Sequence, residues 1–203
     1  MQLSKGCLIA CLAALAPSLS SVAATAESLR LGTLLTSAIS EPGEQDVYLF
    51  DGTAGQRLYY DAISRGYLNI NARLLSPSGA AVWEVNRATP VGPFTLTETG
   101  PYQLVLDGIG EVIGDYSFRL DDVAAARPLT LGEPVIGAVT IADLDPATGA
   151  DLYRFECMRA GQRLRFDAVN STSTQAEWLF IGPADQVLPQ RNIRTSIGEV
   201  VLP

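Results

Sequence analysis

The side chains of this chain that could do chemistry are carboxylates, because the sequence contains no histidine. Without histidine, a serine or cysteine hydrolase lacks its usual general base and a zinc site lacks its commonest ligand. Asp61 and Asp167 each end the motif Gln-Arg-Leu-x-(Tyr or Phe)-Asp, and paired carboxylates can serve as acid and base. Because they recur with a repeated motif, we interpret them as turn-capping or arginine-pairing residues and expect no catalytic residue.

Calcium is the one cofactor that the sequence leaves open. Hard cations take oxygen ligands from acidic loops, and two such loops are present. The candidate ligands are Asp107, Glu111 and Asp115 in the first loop and Asp143, Asp145 and Asp151 in the second. Neither spacing matches the twelve-residue loop between two helices that binds calcium, so solvated acidic loops are the alternative interpretation.

Two further features have a functional and a structural interpretation. Cys157 could be a reactive thiol, but it continues an apolar alternation with Tyr153 and Phe155, which favours a small buried side chain. The dipeptide Gln-Arg follows Gly55 and again Gly161, where it could present a polar patch to a ligand. We favour a glycine turn into a strand, with the glutamine and arginine facing solvent.

The first 26 residues have the pattern of an export signal, with Lys5, an apolar stretch at residues 7–16, Pro17 and small residues up to Ala26. Cleavage after Ala26 is expected, while Cys11 lies in a weaker lipoprotein-like box. No other stretch is long and apolar enough to span a membrane. We therefore expect a bacterial protein that is secreted or on the cell surface, in the extracellular space or periplasm. The net charge of −8 argues against nucleic acid as a partner.

An internal repeat organises the chain. The pentapeptide Ala-Gly-Gln-Arg-Leu at residues 54–58 returns at residues 160–164, and Asp61-Ala62 returns 106 positions later. We predict a first copy at residues 27–125 and a second copy at residues 126–203. Because position 203 corresponds to Thr97, the second copy lacks the counterpart of residues 98–123, and we expect the chain to be the beginning of a longer protein.

Strand periodicity runs through the first copy. Tyr116, Phe118 and Leu120 alternate with polar residues, and about eight such short segments are separated by glycine- and proline-rich turns. One of them is an opening strand at residues 29–36. The pattern predicts an all-β fold of antiparallel sandwich modules in tandem, the second incomplete, with Tyr116 and Phe118 in the core of the first.

The order of motifs resembles the bacterial pre-peptidase C-terminal domain family. The motifs are Tyr48-x-Phe50, residues 54–58, Leu-Leu-Ser-Pro-Ser-Gly at 74–79, Gly100-x-Tyr102 and the Gly-Asp-Tyr-x-Phe stretch at 114–118. The resemblance implies a jelly-roll-like sandwich without catalysis, found beside secreted hydrolases or in tandem arrays. The second copy departs from the pattern at Ala184-Asp185, where the Ser-Gly turn is lost.

Three functions agree with these observations. The first is a spacer, adhesion or substrate-attachment module of a larger exported protein, whose partners are further copies in the same chain, an extracellular protein or a polysaccharide. The second is an accessory domain beside a peptidase or other hydrolase in the full-length chain. The third is a calcium- or carbohydrate-binding module, for which Tyr59, Tyr67 and Trp83 are the candidate exposed aromatic residues of the first copy.

Overall fold

The computed structural model describes residues 26–63, 69–132, 149–156, 160–169, 177–182, 185 and 187–202. Residues 1–25 of the expected signal, Tyr67, Asp143, Asp145 and Cys157 lie outside them. In the described part the fold is all-β, as predicted, with a single 3-10 turn. No helix of this part is long and apolar enough to cross a membrane.

Among the described residues of the first copy, nine strands form a sandwich of two sheets. The strands are β1 (Ala26–Ser28), β2 (Leu35–Ile39), β3 (Gln45–Gly52), β4 (Arg57–Ala62), β5 (Ile70–Leu75), β6 (Ala81–Asn86), β7 (Val91–Thr95), β8 (Gly100–Gly108) and β9 (Gly114–Asp122). The first sheet has the order β1-β3-β8-β5-β6, and the second has the order β2-β9-β4-β7. The last two strands, β8 and β9, therefore lie in the interior of the two sheets, each hydrogen-bonded on both edges.

The opening strand predicted at residues 29–36 is wrong. The chain instead forms β1 in the first sheet and β2 in the second, with a turn between them in which the Thr33 amide donates to the Arg30 carbonyl at 3.3 Å. The turn moves the chain from one layer to the other. Alternation alone could not show this, because Leu29, Leu31 and Leu35 keep the spacing of one strand face across the turn.

The core lies between the two sheets and is built from the predicted alternating side chains. Tyr116 is 1% exposed and Phe118 is fully buried, which confirms their predicted place. The largest buried side chains are Tyr60, Tyr102, Tyr116, Phe118, Ile39, Leu58, Ile70, Leu74, Leu96, Leu104, Leu106 and Leu120. Since β8 and β9 supply six of these twelve, the two interior strands contribute half of the most buried side chains.

The described residues of the second copy form three two-stranded sheets. A 3-10 helix (Val123–Ala125) precedes β10 (Arg127–Pro128), β11 (Tyr153–Arg154), β12 (Arg163–Phe166), β13 (Glu177–Ile181), β14 (Val187–Asn192) and β15 (Gly198–Val201). The pairs are β10 with β11, β12 with β15 and β13 with β14.

The strand pairs of the second copy reproduce pairs of the first. Arg57 lies opposite Thr95 in the pair of β4 and β7, and Arg163 lies opposite Val201 in the pair of β12 and β15, each position shifted by 106. The pair of β13 and β14 matches β5 and β6 at the same offset, including a register shift near its end. The parallel pair of β10 and β11 matches β1 and β3. The sequence repeat is therefore also a repeat of hydrogen-bond register, while the extent of each module stays a prediction.

The turn expected to be lost in the second copy is present. In the first copy, the Gly79 amide donates to the Ser76 carbonyl at 2.8 Å with a φ of +83° at Gly79. In the second, the Asp185 amide donates to the Gly182 carbonyl at 3.1 Å with a φ of +59°. Aspartate is among the few residues that tolerate this left-handed conformation, so it keeps the turn without glycine.

Candidate functional site

Four polar side chains, Tyr59, Asp61, Arg119 and Asp121, lie together on the outer face of the second sheet. Tyr59 lies opposite Asp121, and Asp61 lies opposite Arg119, in the ladder between β4 and β9. Because neighbouring residues of a strand point to opposite faces, the apolar core residues between them place all four on the other face. This face is nevertheless covered, since Asp61 is 1% exposed and Tyr59 is 9% exposed.

The segment that reaches this face comes from the second copy. The Ala150 amide donates to Asp61 Oδ2 at 3.0 Å, and its carbonyl accepts from Arg119 Nη2 at 2.8 Å. The same Nη2 donates to Asp61 Oδ2 at 2.9 Å. An ion pair of the first copy thus binds both backbone polar groups of one residue in the second, and we call Asp61, Arg119 and Ala150 the peptide clamp.

Burial dominates the electrostatics of the clamp. It raises the pKa of Asp61 to about 6, against the lowering effects of the Ala150 amide and the Arg119 guanidinium. Burial also raises the pKa of Tyr59 to about 12 and that of Asp121 above its ordinary value. The nearby carboxylates raise the pKa of Arg119, although burial works against them. Arg119 binds both aspartates, because its Nε also donates to Asp121 at 2.9 Å.

Arginine pairing, the predicted role of the recurring aspartates, is confirmed in both copies. Asp61 pairs with Arg119, and Asp167 accepts from Arg165 Nε at 2.8 Å. The two differ in surroundings, because the Asp167 side chain is 52% exposed and that of Asp61 is 1% exposed. Each carboxylate is neutralised within its own copy, an arrangement typical of structural ion pairs rather than of an acid and base sharing one substrate.

A cleft of about 340 Å³ opens beside the clamp. It is lined by Leu31, Gly32, Arg119, Asp121, Asp122, Ala125, Ala126, Arg127, Ala150, Asp151 and Leu152. Three of its charged side chains, Arg119, Asp121 and Asp122, have protein partners. Asp122 accepts from Gln56 Nε2 at 2.7 Å and from the Ala124 amide at 2.8 Å, where it caps the 3-10 helix. The polar walls of the cleft therefore hold the linker against the second sheet.

A second contact between the copies involves Asp185, the aspartate in the left-handed backbone conformation. The Arg57 guanidinium pairs with Asp185, and Thr95 Oγ1 donates to the other carboxylate oxygen at 3.2 Å. The expectation that Gln56 and Arg57 face solvent is wrong, since both are half-buried. It holds for Arg163, whose side chain is 71% exposed. Sequence reasoning missed Asp185, although its replacement of the turn glycine was the available signal.

The calcium candidates of the first loop are not brought together. Asp107, Glu111 and Asp115 all lie in the described residues, and no three histidine, cysteine or acidic side chains there could hold a metal ion. Asp151 lines the cleft. Its predicted companions Asp143 and Asp145 lie outside the described residues, so the second calcium loop stays a prediction.

The described aromatic candidates for carbohydrate binding are not open platforms. Tyr59 is buried in the face that Ala150 reaches. Trp83 is half-buried, with its ring centroid 5.1 Å from that of Tyr60 and 5.7 Å from that of Phe94. Both side chains therefore pack against other residues of the protein.

No protein-family model matches the chain, and no curated protein matches it. Among solved structures, it is similar to the pre-peptidase C-terminal domain of a collagenase from Bacillus anthracis, at 16% identity and a TM-score of 0.43, covering 48% of this chain and 96% of that one. It is similar to a periplasmic inhibitor of g-type lysozyme from Aeromonas hydrophila, at 16% identity and a TM-score of 0.40, with the same coverage. A mutant of such an inhibitor from Escherichia coli has 18% identity and a TM-score of 0.39, covering 49% and 99%. Likeness at this level carries no argument about function.

Proposed function

We propose that this chain is a non-catalytic, exported β-sandwich protein whose copies serve as a spacer or attachment module of a larger protein. The observation that carries the proposal is that the buried carboxylate of the fold is bound by other groups of the same chain. Asp61 is the buried carboxylate of the described fold, and its partners are Arg119 and the Ala150 amide. A catalytic carboxylate with a raised pKa needs access to substrate, whereas this one joins two parts of the chain.

The contact between Arg57 and Asp185 supports the same function. It links the turn before β14 to the start of β4, the strand whose other end carries Asp61 of the peptide clamp. Two polar contacts at separate places restrict the motion of the copies more than one would. A spacer needs such restriction, because a freely jointed array does not hold its ends apart.

The export pattern and the resemblance to the pre-peptidase C-terminal domain family support a secreted or cell-surface location. We propose that the partners are further copies or a catalytic domain in the same full-length polypeptide, with an extracellular protein or polysaccharide as the attached surface. The acidic net charge of −8 favours these partners over nucleic acid.

The proposal is tested by an activity screen and a retention assay on the exported chain. We expect no turnover of casein, gelatin or common glycosides. Turnover that is abolished by Asp61→Asn or Asp167→Asn would overturn the non-catalytic role. Depletion from solution by insoluble collagen, chitin, cellulose or peptidoglycan distinguishes the two forms of the proposal, since an attachment module is retained and a pure spacer is not.

A further inference from the structure

We propose that the contact between the two copies is a pH-sensitive joint, in which the peptide clamp closes firmly when Asp61 carries a proton and loosens when Asp61 is ionised. Such regulation goes beyond the spacer or attachment role and holds for either. Three features of the clamp support it: the atom of Asp61 that accepts the hydrogen bonds, the balance of charge on the covered face, and the burial of that face.

Both hydrogen bonds to Asp61 in the clamp end on the same oxygen atom. The Ala150 amide donates to Oδ2 at 3.0 Å, and Arg119 Nη2 donates to Oδ2 at 2.9 Å. A protonated carboxyl group keeps one oxygen as a full acceptor, so a proton on Oδ1 preserves both hydrogen bonds. The hydrogen bond from Arg119 Nη2 to the Ala150 carbonyl, at 2.8 Å, does not involve Asp61. The closed clamp is therefore compatible with a neutral Asp61.

The covered face carries more negative than positive charge. Arg119 binds both Asp61 and Asp121, because its Nη2 and Nε each donate to one of the two carboxylates at 2.9 Å. With both aspartates ionised, these three side chains have one negative charge in excess, on a face where Asp61 is 1% exposed. Removing an excess charge from water costs free energy, because no second cation compensates it. A proton on Asp61 removes the excess.

The other described groups around the clamp do not supply the missing positive charge. They are Tyr59 of β4, Asp122 of β9, Arg127 of β10 and Asp151 next to Ala150. Tyr59 is neutral, because burial raises its pKa to about 12. Asp122 and Arg127 have opposite charges, and Asp151 adds a negative charge that acts on Arg119. The described groups of the clamp thus stay net negative until Asp61 takes up a proton.

Closing the clamp is therefore linked to proton uptake. Burial raises the pKa of Asp61 to about 6 in the closed clamp, against an ordinary value of 3.8. A pKa that is raised in the closed state favours closure at low pH, and this advantage is lost as pH rises through 6. When the segment of Ala150 moves away, water hydrates the ionised carboxylate. The joint then retains the contact of Arg57 with Asp185, about which the copies can rotate.

The test compares hydrogen exchange of the Ala150 amide at pH 5 and pH 7, expressed as a protection factor so that the intrinsic effect of pH is removed. In the native chain the protection should fall by about tenfold, because a pKa of about 6 when closed and 3.8 when open changes closure by that factor. Asp61→Asn is neutral and keeps an acceptor oxygen, so its protection should be equal at both pH values. Asp51→Asn, at an exposed carboxylate, should show the native decrease.

A distance measurement separates opening of the joint from a general change in stability. Nitroxide labels are attached at Ile109→Cys and Val201→Cys, two exposed positions in different copies, in the exported chain with Cys157→Ser. Double electron–electron resonance should give a narrow distance distribution at pH 5 and a broader one at pH 7. In Asp61→Asn the distribution should be narrow at both. The comparison without a clamp substitution stays decisive if Asp61→Asn is unstable.

Three results would overturn the proposal. They are protection of Ala150 that does not fall between pH 5 and pH 7 in the native chain, a decrease that persists in Asp61→Asn, and a distance distribution that does not change with pH. These measurements use neither turnover nor retention by an insoluble polymer, so their outcome is separate from that of the proposed function.

Discussion

At the scale of single residues, the decisive property is the different burial of two aspartates in the same motif. The sequence predicts that Asp61 and Asp167 recur and pair with arginine, because their motif recurs. It could not predict that only Asp61 is buried, since that depends on Ala150, a residue 89 positions away along the chain. Contacts between segments that share no local pattern are not encoded in any periodicity.

The ionisation of the buried Asp61 should make the stability of the protein depend on pH. Its folded pKa of about 6 lies above the unfolded value of 3.8, so the folded state holds the proton more tightly. The stabilisation from this proton is fully present below about pH 4 and is lost as pH rises through 6. Asp61 should thus lower the free energy of unfolding by about 3 kcal/mol across this window.

Urea denaturation at pH 4, 5, 6 and 7 checks this prediction. Asp61→Asn should remove most of the decrease, whereas Asp51→Asn, at an exposed carboxylate, should retain it. An unchanged slope in Asp61→Asn would show that the group is hydrated in solution.

Arg57 and Arg163 occupy the same position of the repeat and should respond differently to truncation. Arg57→Ala removes a half-buried ion pair to Asp185, so the second copy should open more often and be cut faster by protease near residues 185–202. Arg163→Ala removes an exposed pair with Glu199 and should change stability by less than about 0.5 kcal/mol. Equal cleavage rates in the two variants would contradict the contact between the copies.

At the scale of elements, the two interior strands β8 and β9 contribute half of the largest fully buried side chains. Period-two alternation was sufficient to predict the inward residues of β8 and β9, because both are long and regular. It was insufficient for the opening segment, where a turn between β1 and β2 interrupts the predicted strand. The interior position of β8 and β9 also lay beyond sequence reasoning, since strand order depends on pairings far apart in the chain.

Truncation of the interior strand should be costly. Phe118 is fully buried between the sheets, so Phe118→Ala should destabilise the first copy by about 3–5 kcal/mol. Ile109→Ala, in the exposed loop between β8 and β9, should change stability by less than about 0.5 kcal/mol. Chemical denaturation of both variants makes the comparison, and equal midpoints would show that the inner face is assigned wrongly.

At the scale of the whole molecule, the repeat offset of 106 residues is the sequence prediction that explains most of the strand pairing in the second copy. It aligns β13 and β14 with β5 and β6, and the first two residue pairs of β12 and β15 with those of β4 and β7. Beyond Leu58 the register of β4 and β7 shifts, whereas β12 and β15 continue without a shift. The joining of the copies could not be derived from the offset, since the clamp and the Arg57 pair are contacts that a single copy does not contain.

The amide of Ala150 offers the most direct measurement of the claim that buried charge joins the copies. Its hydrogen exchange should be slow in the native chain, because the amide donates to Asp61 on a covered face. In Asp61→Ala the protection of Ala150 should be lost, while the amides of β4 and β9 keep theirs. If the Ala150 amide of the native chain exchanges as fast as an unstructured peptide, the clamp does not form and the proposed role of Asp61 is wrong.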